Sequence, residues 1–71
     1  MIDTKLLNEA VESSGVTKIW LANKIGCSRP RLYKILDGAD VTLSEIESIS
    51  SALGLSVGDR NRIFFAQKVE Q

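Results

Sequence analysis

Apolar side chains recur at helical spacing along most of the chain. Leu6, Leu7, Ala10 and Val11 fall on one stripe and predict a first helix over about Thr4 to Ser14. Gly15 suits a left-handed C-terminal cap, and Thr17 can cap a second helix that carries Ile19, Leu21, Ala22 and Ile25 and stops at Gly26. Ser28 can open a third, about Arg29 to Asp37, with Gly38 closing it. Pro30 then lies in the first turn, where its missing N–H has no intrahelical partner to lose. "TLSE" at 42–45 has the form of a capping box ahead of Leu43, Ile46, Ile49 and Leu53, with Gly54 as the stop. Ser56 and Asp59 repeat an S-x-x-D start before Ile63, Phe64 and Phe65, a fifth helix whose end the pattern does not mark. Period-two alternation never persists, so no strand competes. The expectation is an all-α fold, a compact bundle of five short helices forming one domain over residues 1–71.

Length and composition agree with that picture. A chain of 71 residues buries too little surface for two cores, and 44% hydrophobic residues with five glycines describe a folded globule, not a disordered tail. The lone Cys27 and the lack of histidine argue against disulfides within the chain, a cysteine-based zinc site or any structural metal. No cofactor is implied. The N-terminal segment mixes acids into its apolar stripe and nothing approaches membrane-spanning length, so the expected location is cytoplasmic. There is no nucleophile–base arrangement and no glycine-rich phosphate loop, so no enzyme is expected.

The second and third helices follow a steric logic. Helices joined by so short a turn cross steeply and closely, which favours a methyl at Ala22 and no side chain at Gly26, where the backbone needs positive φ. Leu21, Ile25, Cys27, Leu32 and Ile35 supply the seam against the other helices. At 100° per residue, Leu32 and Ile35 centre the buried side of helix three. Tyr33, Pro30, Lys34 and Asp37 then face outward, with Arg29 and Arg31 on the shoulders.

Charge adds a location. Nine basic and nine acidic residues cancel over the whole chain, yet the segments carry −2 over 1–16, +4 over 17–38, −3 over 39–58 and +1 over 59–71. The cations cluster where the exposed face of helix three lies, and the positive pole of its dipole adds to their field.

"LANKIGCSRPRLYKILDG" resembles the helix-turn-helix of the Cro/cI-type (XRE) phage repressor family, with a Leu-Ala-x-x-x-Gly-x-Ser core and a closing glycine over about 17–38. "ALGLS" at 52–56 is similar to that family's helix-four ending, and "RNRIFFAQKVE" to the tail of small phage-type regulators from Gram-positive bacteria. The resemblance implies a non-enzymatic, sequence-specific regulator of transcription, a homodimer that sets helix three in the major groove of double-stranded operator DNA. Carried over by position, it makes Arg29, Pro30, Tyr33 and Lys34 the base-reading residues. Lys18, Ser28 and Arg31 become the phosphate contacts.

Two positions depart from the pattern. Lys18 stands where the family often has glutamine, exchanging an amide contact for a charged one. Pro30 replaces a residue that is often polar, trading hydrogen-bonded edges for apolar contact such as a thymine methyl.

Other residues have plainer readings. Cys27 fits a packing role. Trp20 either packs against a neighbouring helix or flanks phosphate, and Arg60, Arg62 and Lys68 read as solvating charges on helix five. Phe64 and Phe65 are adjacent, so one can enter the core while the other faces elsewhere, which makes the pair a possible dimer interface. The alternative function is a helix-turn-helix fold used as a protein-interaction module, an antirepressor or adaptor working through the acidic fourth helix.

Overall fold

A computed structural model describes residues 2–65 and contains five helices and, among those residues, no strand. They are α1 (Thr4–Ser14), α2 (Lys18–Ile25), α3 (Arg29–Leu36), α4 (Leu43–Leu53) and α5 (Val57–Phe64). Each begins on a short polar side chain that accepts a hydrogen bond from a backbone N–H of the first turn. The caps are Asp3, Thr17, Ser28, Thr42 and Ser56. At α4 the expected capping box is complete, with Thr42 Oγ1 accepting from Glu45 N at 3.1 Å and Glu45 Oε1 accepting from Thr42 N at 3.0 Å. Residues 66–71, including Lys68, lie outside the described residues.

The helices close around one core. Leu7, Leu21, Leu32, Ile35 and Ile49 are almost wholly buried and come from α1, α2, α3 and α4, so no adjacent pair of helices alone makes the interior. α4 touches α1, α2 and α5, while α3 is held by α2 and α1. Asp3 N donates to the carbonyl of Ile63 at 2.7 Å, tying the start of the chain to α5.

The stripes drawn from periodicity are too generous at two positions. Ile19 is 56% and Leu43 64% exposed. Ile19 lies to one side of the stripe centred on Leu21, Ala22 and Ile25. Leu43 occupies the first residue of α4, where no neighbouring helix covers it. α3 itself is one residue shorter than expected, because Asp37 is already its cap.

The adjacent phenylalanines divide unequally. Phe64 is 4% exposed and belongs to the core, while Phe65 is half-buried against it. One ring thus enters the core while the other does not, as their adjacency allows, and of the pair only Phe65 keeps surface outside the core. The cause is intramolecular: α5 packs on α1 and α4, and that contact consumes the Phe64 ring.

The turn between α2 and α3 is built on Gly26 at φ +83°, with Gly26 N and Cys27 N both donating to the Ala22 carbonyl at 2.9 and 3.0 Å. Cys27 is half-buried against the core, so the thiol serves packing there. No heavy atom lies within 4 Å of where a Gly26 Cβ would stand. Substitution therefore costs backbone strain alone. Gly26→Val should lose about 1–3 kcal/mol, since a β-branched residue is poorly tolerated at positive φ, and Gly26→Ala should lose less. Thermal melts followed by circular dichroism check the order; equal melting temperatures for all three proteins would disprove the strain.

Candidate nucleic-acid interface

α3 presents two chemically different sides. Leu32, Ile35 and Leu36 are buried and Pro30, Tyr33, Lys34 and Asp37 are exposed, the division that a 100° wheel predicts; of the two shoulder residues Arg29 is exposed and Arg31 half-buried. Buried leucine and isoleucine fix the helix's rotation about its axis, so the outward set follows from the inward one. At its C-terminal end, Gly38 N donates to the Ile35 carbonyl at 3.0 Å and Ala39 N to the Lys34 carbonyl at 2.9 Å, a Schellman closure with Gly38 at φ +106°. Asn8 of α1 adds a tie across the bundle, its Nδ2 donating to the Leu36 carbonyl at 3.1 Å and to that of Thr4 at 2.8 Å. Nothing in the sequence singled out Asn8, because an amide partner 28 residues away is set by tertiary contact.

The start of α2 lies beside this face. Lys18 Nζ sits 5.8 Å from the centroid of the Tyr33 ring, within cation–π range, so the first residue of α2 and the exposed side of α3 meet. Lys24 Nζ lies 5.7 Å from the Trp20 ring. Trp20 is 39% exposed, on the surface of α2 with its ring beneath a lysine. The Ser28 Oγ accepts from Arg31 N at 3.2 Å, which leaves its own hydroxyl proton free to donate outward.

Arg31 differs from the other cations of this region. Its Nε donates to Glu45 Oε2 at 3.0 Å and its Nη2 to Glu45 Oε1 at 2.8 Å, a bidentate pair, and Nη2 also donates to the Asp40 carbonyl at 2.9 Å. The other ion pair among the described residues joins Arg62 to Asp59 within α5. Lys18, Lys24, Arg29 and Lys34 are therefore exposed cations without an ion-pair partner among those residues, while Arg31 has its charge answered.

The pair also sets a pH dependence. The hydrogen bond from Arg31, followed by the one from Thr42 N, holds the Glu45 carboxyl below the usual glutamate range, and the same carboxylate raises the Arg31 guanidinium further. A depressed carboxyl contributes stability that is fully present above its unfolded pKa, about 4.3 for glutamate, and is lost as pH falls through the lower folded value. Glu45→Gln should therefore melt below the wild type at neutral pH and converge on it in acid, where protonated Glu45 resembles the amide. A melting-temperature gap that stays constant from neutral pH into acid would contradict this linkage.

Among the described residues no three potential ligands gather as a metal site, and no helix is long and apolar enough to cross a membrane.

This arrangement is a helix-turn-helix whose second helix carries an exposed cationic face. The Cro/C1-type HTH DNA-binding domain matches residues 6–60, which spans all of α1 to α4 except the first two residues of α1, together with the first half of α5. The chain belongs to that family and contains a DNA-binding domain. No curated protein and no solved structure matches it significantly.

Proposed function

We propose that the chain is a sequence-specific regulator of transcription, a phage-type repressor or Cro-like protein, that acts as one domain and sets α3 in the major groove of operator DNA. The observation that supports this most is the single outward face shared by Arg29, Pro30, Tyr33 and Lys34, with Lys18 reaching its edge over Tyr33. On this reading the four α3 side chains read base edges, and Lys18 and Ser28 hold phosphates that set the register. One such helix covers only a few base pairs. Useful selectivity calls for two copies on half-sites about 10 base pairs apart, so the protein acts as a homodimer at least on DNA. Of the phenylalanine pair, Phe65 keeps surface for a partner. Such a regulator works as a cytoplasmic, non-catalytic protein.

Selection of bound sequences from randomised duplexes tests the proposal. The expected product is a palindromic consensus with half-sites one helical turn apart, and binding to random duplex should weaken steeply with salt as counterions are released. A flat salt dependence with no consensus would overturn the DNA reading in favour of a protein-interaction module.

A further inference from the structure

Arg31 lies on the first turn of α3, and its guanidinium is held in a clasp. Two of its nitrogens hold both oxygens of Glu45 and one also holds the Asp40 carbonyl, while Glu45 Oε1 accepts from Thr42 N as well. One carboxylate thus joins the start of α3, the α3–α4 loop and the start of α4. At the opposite end of α3, Asn8 grips the Leu36 carbonyl. The helix is held at both ends by polar ties that the apolar core alone would not supply.

We propose that Arg31 and Glu45 are a positioning pair, setting the pitch at which the exposed face of α3 meets DNA, and that Arg31 makes no phosphate contact of its own. The inference rests on the DNA-binding reading above and revises the phosphate contact that the family resemblance implies for Arg31. Nε and Nη2 are committed to Glu45 and Asp40, so a phosphate could be offered only Nη1, whose charge the adjoining Glu45 carboxylate already offsets. Keeping the clasp neutralises Glu45 and holds the loop that leads into α4. The bidentate geometry needs the planar fork of arginine, so a lysine would not replace it.

Salt slopes and a charge swap separate this role from direct contact. The probes are a duplex selected by the wild type from a randomised pool and a scrambled duplex of equal length. Arg31→Gln should leave the salt slope on the scrambled duplex unchanged while the preference for the selected duplex falls roughly tenfold. Glu45→Gln should lose a similar preference, although removing a negative charge would by simple electrostatics tighten DNA binding. The double variant Arg31→Glu with Glu45→Arg should regain part of the preference, and it keeps the test open if Arg31→Gln alone fails to fold. A slope reduced by roughly one unit in Arg31→Gln, with preference unchanged in Glu45→Gln, overturns the positioning role and restores the phosphate contact. A wild type that binds neither duplex overturns the DNA reading and this inference with it. Wild-type binding combined with the first result overturns the inference alone.

Discussion

Ile35→Ala is expected to lower the melting temperature by roughly 10 °C or more, because it removes a side chain with no exposed surface from the helix that carries the candidate interface. Large-to-small changes at such sites cost about 2–5 kcal/mol, the transfer free energy of the lost carbons plus the cavity left behind. A chain of 71 residues has only about 4–10 kcal/mol in total. The loss would therefore consume a large part of the stability. Ile35 also sets the rotation of α3, so surviving folded molecules should bind DNA less selectively as well as melt earlier. Ile19→Ala is the matched control, an apolar residue 56% exposed, for which a change within about 0.5 kcal/mol is expected. If the two variants melt together, Ile35 is not the anchor that its burial implies.

Local chemistry made most of the fold legible. Caps are decided within four residues: Thr17, Ser28, Thr42 and Ser56 each open the helix assigned to them, and α1 has the bounds Thr4–Ser14 that its pattern predicts. Gly26 and Gly38 likewise announce the two closures around α3 through their positive φ. Burial is less local. Periodicity identifies which side of a helix is apolar, but whether Ile19 or Leu43 meets a neighbour depends on where the other helices end. The same holds for Phe64, whose burial is decided by the docking of α5 against α1 and α4.

At the candidate interface, the outward placement of Pro30, Tyr33 and Lys34 was readable because Leu32, Ile35 and Leu36 leave α3 only one way to face, with Arg29 exposed on one shoulder. The fate of Arg31 was not. A wheel puts it on a shoulder, and only the path of the loop through Asp40 brings Glu45, 14 residues later, within 3 Å. Cancellation of net charge over the chain thus conceals two arrangements on α2 and α3: Arg31 answered by a carboxylate, and four exposed cations with no ion pair among the described residues.

Those exposed cations should differ in kind when removed. Lys18→Ala is expected to weaken selected and scrambled duplexes alike and to reduce the salt slope by roughly one unit, the signature of one lost phosphate contact. Arg29→Ala should instead cost about 1–3 kcal/mol, roughly 5- to 150-fold, mainly on the selected site. Arg29 leads Lys34 in this expectation because a guanidinium can grip guanine O6 and N7 together, whereas an ammonium offers a less directional bond. Equilibrium binding of each variant to both duplexes at several salt concentrations separates these effects. Equal losses on the two duplexes for Arg29→Ala and Lys34→Ala would mean that α3 rests on the backbone without reading bases, and the determinants of specificity would then have to lie outside its exposed face.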